Sequence, residues 1–441
     1  MTEDSKMKIC NKKDLKIMTG IMAATLLLGG CTSNTTAKPS GNQLTDDPKI
    51  KAEIAFEEVG KTQYDQELMD SEYNRYCFEL FSQTLKDNGG DENVMISPAS
   101  IMMALDMVAA GAKGESLDQL TNLFAKGQGP LTQQAYAAAL MDKINNAKDV
   151  DFSCANAVWN NGLLLGDNVN MEYVDYIRET FLAEYTVTDF NDKTPSEINA
   201  WVDKKTNHMI PEVIDELKPR TVMVLVNAIS FDAKWEDKYN EDQIHDGEFR
   251  KADGSTQTVT YLNDKLPGYY ESDKATAFMK MYTGGQYAFL AILPKDENIS
   301  ANEFAKNFTS EDYKALVEGG FQSGMTYTKM PEFKSDFNYL ANDTLKNLGA
   351  TDVFDENTAD LSGISGKPGD LYVSRVIHKT HIEVDKKGTK ASAATAVTIR
   401  SKGVDIEEMP QKEIYCDRPY VYAIVDVNTM TPIFIGTVNQ V

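Results

Sequence analysis

The order of the predicted elements along the chain constrains the fold more than any other feature of the sequence. Apolar residues recur at helical spacing over 65–86 and again over 196–208. In the second half, residues 222–231 predict a buried strand interrupted only by Asn227, and residues 371–384 alternate between apolar and polar side chains. Helices that come first and strands that follow favour an α+β fold over a doubly wound sheet.

Local signals give the ends of several predicted elements. Ser97 can cap a helix that has Pro98 in its first turn, and Gly111 can end that helix. In the 196–208 helix, Ile198, Trp201 and Val202 are expected to face inward. The chain finishes on YVYAIVDVNTMTPIFIGTV, which predicts two apolar strands around a short turn.

The charge of the chain excludes some classes of partner. Its 441 residues carry 44 Lys and Arg against 67 Asp and Glu, which gives a formal net charge of −23. Nucleic acid requires a basic surface, so we expect no nucleic-acid partner. Electrostatic docking on anionic lipid is disfavoured for the same reason. The hydrophobic fraction of 42% is that of an ordinary globular protein.

The first thirty residues predict an export signal. Several lysines precede the apolar, uncharged stretch 17–30, which is too short to span a bilayer. Leu28-Gly29-Gly30-Cys31 resembles the processing box of bacterial lipoproteins, and that resemblance implies lipidation of Cys31. An ordinary signal peptide with a chance cysteine is the alternative.

The predicted anchor leads to a predicted location. The polar stretch that follows Cys31 predicts a flexible tether over 31–55. We expect an exported protein, attached to the cell envelope only through its lipid, on the periplasmic or the surface face. Thr32 stands where inner-membrane lipoproteins commonly carry Asp, so the outer membrane is favoured.

The remaining residues give no sign of an enzyme. The chain has four histidines and lacks the G-x-S-x-G, P-loop, H-E-x-x-H and G-x-G-x-x-G motifs. His378 and His381 are three apart on a predicted strand, so they face opposite sides and cannot share a metal. His378 is expected in the core and His381 in solvent. Neither a cofactor nor a metal is predicted, and Cys77, Cys154 and Cys416 are expected to be buried free thiols.

Several short motifs follow one another in a distinctive order from about residue 70 to 441. They are Asn93-Val94-Met95-Ile96-Ser97-Pro98-Ala99-Ser100, Gly111-Ala112-Lys113-Gly114, Ile198-Asn199-Ala200-Trp201-Val202, Leu225-Val226-Asn227-Ala228 with Phe231 and Trp235, Leu348-Gly349 with Phe354, Gly388-Thr389-Lys390-Ala391-Ser392-Ala393-Ala394-Thr395, and Asp417-Arg418-Pro419-Tyr420. Taken together in this order, they resemble the serpin family of serine protease inhibitors. The resemblance implies a monomeric serpin fold over 56–441: one large domain with three β-sheets, about nine helices and an exposed reactive-centre loop.

The segment 388–395 is the hinge that the resemblance predicts. In TKASAATAV the odd positions are small or modest side chains, so as a strand they would form one face that can be buried, while Lys390 points the other way. Gly388 leaves the backbone free to pivot. The alternative interpretation is an Ala-rich surface loop or short helix.

The resemblance also assigns residues that control opening of the central sheet. Ser97, Ser100, Asn227 and His378 match the shutter of the family, beneath the point where the sheet opens. Trp201, Glu332 and Lys386 match its breach, where the loop starts to insert. The family carries Glu at the position of Lys386 and Lys at that of Glu332, so both charges are reversed here. We therefore expect a Glu332–Lys386 ion pair, against the alternative of two solvated charges.

The bait bond is the peptide bond that the target protease would cleave. The resemblance locates it by counting residues from the hinge glycine. Fourteen residues beyond Gly388 is Lys402, which places the bond at Lys402-Gly403. Arg400-Ser401 is a close competitor, because the stretch from Gly403 to Pro419 is longer than usual and counting back from Pro419 disagrees. A Lys or Arg suits trypsin-like proteases, whose primary pocket is acidic.

Three functions are open to a chain with these features. The first is a suicide-substrate inhibitor of trypsin-like serine proteases, which the small residues of the hinge favour. The second is a non-inhibitory serpin with a binding or structural role. The third is a lipid-anchored hydrolase, which the missing motifs disfavour.

Overall fold

Two hydrogen-bonded β-sheets organise the protein, and helices pack around them. The computed structural model describes residues 54–165, 169–218, 221–389 and 411–441. The predicted signal peptide, Cys31 and nearly all of the tether lie outside these residues. So do the hinge from Lys390 onward and both candidate bait bonds, Lys402-Gly403 and Arg400-Ser401.

Eleven α-helices occur in the described residues. They are α1 (Phe56–Val59), α2 (Gln66–Asn88), α3 (Pro98–Ala109), α4 (Glu115–Phe124), α5 (Pro130–Asn145), α6 (Gly162–Leu165), α7 (Met171–Phe181), α8 (Thr194–Lys205), α9 (Ala301–Lys306), α10 (Ser310–Val317) and α11 (Asn342–Asn347).

Fifteen strands occur in the same residues. They are β1 (Met95–Ile96), β2 (Val150–Asn161), β3 (Glu184–Thr188), β4 (Met223–Lys234), β5 (Ile244–Arg250), β6 (Thr256–Glu271), β7 (Ala275–Met281), β8 (Tyr287–Pro294), β9 (Phe321–Pro331), β10 (Phe333–Leu340), β11 (Arg375–Asp385), β12 (Gly388–Thr389), β13 (Gln411–Tyr415), β14 (Tyr420–Asp426) and β15 (Pro432–Val438).

The six-stranded sheet has the order β10-β11-β12-β4-β2-β3. Strand β11 also pairs directly with β4, and that pairing is parallel, whereas β12 is antiparallel to both. The alternation predicted for 371–384 holds for one face of β11, with Val376, His378, Thr380, Ile382 and Val384 buried. On the other face Ile377 is buried as well, because it packs in a second core cluster with Ile198 and Val202. The two central strands of this sheet are therefore far apart in sequence.

The nine-stranded sheet has the order β1-β15-β14-β8-β7-β6-β9-β13, with β5 paired to β6. The sequence predicted three sheets, whereas the described strands join into two networks, because the long strand β6 pairs with both β7 and β9. Its register shifts between Leu266 and Gly268, around Pro267, which has no N–H to give to a ladder. The predicted terminal hairpin is present as β14 and β15.

Helix α3 is buried along its whole length. It begins as predicted: Ser97 is the N-cap, its Oγ accepts from the Ser100 N–H at 3.2 Å, and Pro98 opens the helix. Its end also matches the prediction, because the cap residue is Ala110 and Gly111 is the next residue. A Cβ on Gly111 would lie 2.1 Å from Cγ1 of Ile364, so close packing, rather than helix termination, requires this glycine.

Helix α8 packs on β2 on the outer face of the six-stranded sheet. Ile198 and Val202 are buried there as predicted, but Trp201 is only half-buried. None of the helices in the described part of the chain is long and apolar enough to cross a membrane. Cys77 and Cys416 are buried free thiols, and burial raises the pKa of both.

Candidate strand-insertion site

The centre of the six-stranded sheet is closed at one end only. Arg375–Lys379 of β11 pair in parallel with Val224–Ala228 of β4, and the ladder stops there. Beyond it, the described backbone of β4 continues to Lys234 and that of β11 to Asp385. We call the space between these two upper segments the seam.

Strand β12 occupies the top of the seam. Gly388 lies opposite Lys234 of β4 and Asp385 of β11, and Thr389 lies opposite Ala233 and Val384. The first two residues of the predicted hinge are thus already strand residues of the sheet. A Cβ on Gly388 would lie 2.1 Å from the Ala233 carbonyl oxygen, so only glycine fits this close approach of two backbones.

Thr389 is anchored in the core by an aromatic pair. Its side chain is buried, at 1% exposure, and its Oγ1 lies 2.6 Å from the Tyr282 hydroxyl. The Tyr282 ring stacks on Trp235 with centroids 4.7 Å apart. Trp235 in turn donates its indole N–H to the Asp385 carbonyl at 2.8 Å and its backbone N–H to the Lys387 carbonyl at 3.0 Å. No sequence pattern distinguished Tyr282 from the other tyrosines.

Carboxylates hold the hinge turn, which we define as Asp385–Gly388. The Asp385 Oδ1 accepts from the backbone N–H groups of Lys387 at 2.6 Å and Gly388 at 3.1 Å. The Glu332 Oε1 accepts from the backbone N–H of Lys386 at 2.9 Å. Three consecutive backbone donors therefore end on carboxylates, which are strong acceptors of such bonds.

The prediction of a Glu332–Lys386 ion pair is wrong, because the Lys386 ammonium pairs with a different carboxylate. The Lys386 ammonium lies 2.7 Å from Oε1 of Glu241, which precedes β5. That ion pair, with a weaker contribution from Glu332, raises the pKa of Lys386. Glu332 contacts the backbone of Lys386 because the tight turn directs that N–H toward it while the long side chain extends to the surface. Glu241 carried no signal in the sequence.

The assignment of Trp201 to the breach is also wrong. Its indole N–H donates to Oε2 of Glu184 at 2.8 Å, and Glu184 begins the edge strand β3. Strands β2 and β4 separate that edge from β12. The tryptophan beside the hinge turn is Trp235, which in the sequence is only one of the residues that carry the family resemblance.

The four predicted shutter residues do come together, beside the closed ladder. The His378 Nε2 accepts from the Ser97 backbone N–H at 3.0 Å, and the Ser97 hydroxyl donates to the Ile433 carbonyl at 2.8 Å. The Ser100 hydroxyl donates to the Asn227 Oδ1. His378 and Asn227 are themselves paired residues of β11 and β4. The network therefore links both central strands to the start of α3.

A fifth member of this network was missed. The Asn227 Nδ2 donates to the Asn156 Oδ1 at 2.5 Å, and the Asn156 Nδ2 donates to the Phe181 carbonyl at 2.8 Å. Asn156 is a polar residue between two alanines, directly opposite Asn227, and that pattern could have identified it. We call Ser97, Ser100, Asn156, Asn227 and His378 the shutter network.

His378 is neutral at physiological pH. Burial without a charged partner lowers its pKa from the usual 6.5 to about 3. Because Nε2 accepts from a backbone N–H, the ring proton must be on Nδ1. His381 is on the opposite face, as predicted, but its Nδ1 lies 2.8 Å from Asp336 Oδ1 and it is only partly exposed. In the described ranges, no group of three or more His, Cys, Asp or Glu could hold a metal ion.

This geometry defines a class of protein: one whose central strands are parted at one end by the first residues of a connecting segment, so that the segment can add to the sheet as a strand. The chain belongs to the serpin family. The family model described as Serpin (serine protease inhibitor) matches residues 71–441. The α+β serpin fold predicted from the sequence is thereby confirmed.

Individual relatives agree with this assignment. Leukocyte elastase inhibitor A of Mus musculus is 30% identical over 387 residues, which cover 84% of this chain and 99% of the mouse protein. The native-state crystal structure of the thermophilic serpin tengpin has a TM-score of 0.76 and 35% identity, and covers 86% of this chain and 96% of its own. Thyroxine-binding globulin in complex with thyroxine shares the fold, with a TM-score of 0.73 and 23% identity over 84% of this chain and 99% of its own.

Proposed function

We propose that this serpin is an inhibitor that traps trypsin-like serine proteases as a suicide substrate. The protease serine attacks the carbonyl carbon of the bait residue, the peptide bond breaks, and its new amine leaves with a proton from the protease histidine. The ester that forms links the protease to the cleaved loop. The loop then inserts into the six-stranded sheet faster than water hydrolyses this ester. The chain itself performs no catalysis.

The single observation that carries the proposal is the presence of β12 in the seam. Continuing its register would bring residues 390–393 opposite Ile229–Asp232 and opposite residues 380–383. The odd residues would share the buried face of Thr389, and Lys390 would face the other way. About ten new backbone hydrogen bonds at roughly 1 kcal/mol net each supply on the order of 10 kcal/mol for full insertion.

The bait and the location are further parts of the proposal. Lys402-Gly403 is the proposed bond, with Arg400-Ser401 as its competitor, and either would enter an acidic primary pocket. The protein acts as a monomer at the cell envelope, exported by residues 1–30 and lipidated at Cys31, with the outer membrane favoured. A Cys31→Ser variant should lose incorporation of radiolabelled fatty acid and leave the membrane fraction, and continued labelling would exclude this anchor.

A non-inhibitory role is the second candidate. The specific observation for it is that the fold is shared with a complex named for ligand binding, thyroxine-binding globulin with thyroxine. In that case a protease would either cleave the loop or leave it intact, and no covalent complex with the protease would form. The small side chains of the hinge weigh against this candidate, because bulky or charged residues there would oppose insertion.

The test is incubation of the full chain with trypsin, a denaturing gel, and sequencing of the released C-terminal fragment. We expect a covalent complex and a fragment that begins at Gly403. Lys402→Ala should reduce the yield of complex at least about tenfold, since a trypsin pocket selects for the basic side chain. Lys367→Ala, at an exposed site in the described surface, is the matched control. Cleavage without complex would support the non-inhibitory candidate.

A further inference from the structure

A groove of about 300 Å³ opens between strands β6 and β7, on the nine-stranded sheet. The ladder between these strands holds only Tyr270 with Ala277 and Glu271 with Thr276. Beyond these two pairs, β6 and β7 form no further ladder pairs in the described residues. Strand β6 stays paired with β9 on both sides of a register shift between Leu266 and Gly268. The groove lies between β6 and β7, beside this irregularity.

An ion pair connects the strands beyond the groove. The Lys280 ammonium, on β7, contacts Oδ2 of Asp264 on β6, and both side chains are largely buried. The same ammonium lies 4.5 Å from the centroid of the Tyr239 ring. Lys280 therefore already has its counter-charge, and it contributes no free positive charge to the groove.

The walls of the groove are apolar and adaptable. They include Leu266, Met279 and Met281, whose side chains are half-buried. Methionine at such a surface adapts to differently shaped ligands. The wall is completed by Phe321, which is 56% exposed and lies edge-on to Tyr270 with centroids 5.5 Å apart.

The backbone beneath the Phe321 ring keeps the ring exposed to solvent. A Cβ on Gly268 would lie 2.7 Å from Cζ of Phe321, so the ring rests directly on this glycine. A large aromatic side chain that is packed on its lower side and exposed on its upper side resembles the rigid anchors of protein interfaces.

The rim of the groove is acidic. Glu236 and Asp237 line it, are both exposed, and make no side-chain ion pair or hydrogen bond with any residue that the structure describes. The backbone N–H of Glu236 donates to the Met281 carbonyl at 3.0 Å, which fixes this rim to the groove wall. The free charges that line the groove are therefore negative.

We propose that this groove is a docking site for a peptide segment of a partner protein, in which a large apolar side chain is followed by Arg or Lys. The apolar side chain would enter between Met279, Met281 and Phe321. The guanidinium or ammonium would then reach Glu236 and Asp237 at the rim, where charge-assisted hydrogen bonds give direction to an otherwise non-directional apolar contact. This site is independent of the bait loop and of the proposed inhibition.

The test uses the full chain with ¹³C-methyl methionine and the peptide acetyl-GFRG-amide as the probe. The methyl signals of Met279 and Met281, assigned with Met279→Leu and Met281→Leu, should shift saturably on titration. The peptide acetyl-GFEG-amide should bind at least about tenfold more weakly, since its carboxylate meets the acidic rim. Equal binding of the two peptides, or no saturable shift with the first, would overturn the proposal.

Matched variants locate the binding. Glu236→Gln combined with Asp237→Asn should weaken acetyl-GFRG-amide about tenfold and remove its preference over acetyl-GFEG-amide. Phe321→Ala should weaken both peptides. Asp273→Asn removes an exposed acidic charge outside the groove lining and should change neither affinity. An equal loss with Asp273→Asn would mean that general attraction to an acidic protein, rather than this groove, binds the peptide.

Discussion

The two ends of the β4–β11 strand pair are held in opposite ways. At the lower end the strands pair directly, and the shutter network fastens them to α3 through neutral, buried hydrogen bonds. At the upper end β12 separates them, and the hinge turn is fixed by carboxylates near the surface. At the lower end, the network keeps β4 and β11 paired. At the upper end these strands are already separated, and the hydrogen bonds there hold only β12 in place.

This difference separates two energetic roles. A buried polar group that loses its partner bears the full cost of desolvation, so each shutter bond is expensive to break. The bonds of the hinge turn are short but close to water, which can replace a lost partner. We therefore expect the stability of the fold to depend mainly on the shutter network. Loop insertion is expected to depend on which side chains can be buried in the seam.

The largest effect is expected at the seam, from Thr389→Arg. Residue 389 is buried against Tyr282, so a charge there costs several kcal/mol when the hinge occupies the sheet. If the protein inhibits as proposed, trypsin should still cut the loop, but the covalent complex should fall at least about tenfold. Lys387→Arg, on an exposed residue of the hinge turn, is the control. Equal complex yield from Thr389→Arg and the parent would reject insertion at this register.

The second effect concerns the lower end, through Asn227→Ala. The change leaves the Ser100 hydroxyl and the Asn156 side-chain Oδ1 unpaired in the core, and should lower the free energy of unfolding by about 3 kcal/mol. Urea titration measures it. Asn338→Ala, at an exposed strand position, should change stability by less than about 0.5 kcal/mol. Similar losses in the two variants would mean that the shutter network does not hold the strands.

The third effect is a pH dependence specific to the lower end. His378 has a folded pKa of about 3 against 6.5 when unfolded, so the unfolded state binds a proton that the folded state excludes. The stability that depends on the neutral form of His378 is fully present above pH 6.5 and is lost as the pH falls from 6.5 toward 3. Between pH 6.5 and 5 the loss is about 2 kcal/mol, at 1.4 kcal/mol per pH unit. His378→Gln should flatten the slope of stability against pH, and an unchanged slope would contradict the assignment.

The smallest effect is expected at the hinge turn. Glu332→Ala removes one acceptor of a partly exposed backbone N–H and should lower the free energy of unfolding by about 1 kcal/mol, whereas Glu332→Gln keeps an acceptor and should recover most of it. Glu241→Gln, which breaks an exposed ion pair, should leave thermal stability unchanged. If Glu241→Gln destabilised more than Glu332→Ala, the ion pair and not the backbone bond would hold the turn.

The shutter could be predicted because its residues violate the local pattern. Asn227 interrupts an apolar strand and His378 alternates with core residues, so each had to find a hydrogen-bond partner. Asn156 carries the same signal and was overlooked. The starts of α2, α3 and β4 could likewise be predicted, since caps and periodicity act within a few residues.

The hinge turn could not be predicted in the same way. Trp201 and Trp235 look alike in sequence, and only the strand order separates the one at an edge from the one at the seam. The Glu332–Lys386 hypothesis paired two side chains by charge, but a turn that exposes its backbone donors to carboxylates gives those side chains other partners.

By itself, the sequence determined several of the helices and strands, most of the polar residues of the shutter network, and that residues 388–395 suit a strand with one small face. These properties depend on neighbours along the chain. The tertiary structure alone decided that β12 lies between β4 and β11, that Tyr282 and Trp235 receive it, and that Glu241 holds Lys386. Those contacts join residues that are many positions apart, and they exist only once the strand order of the sheet is established.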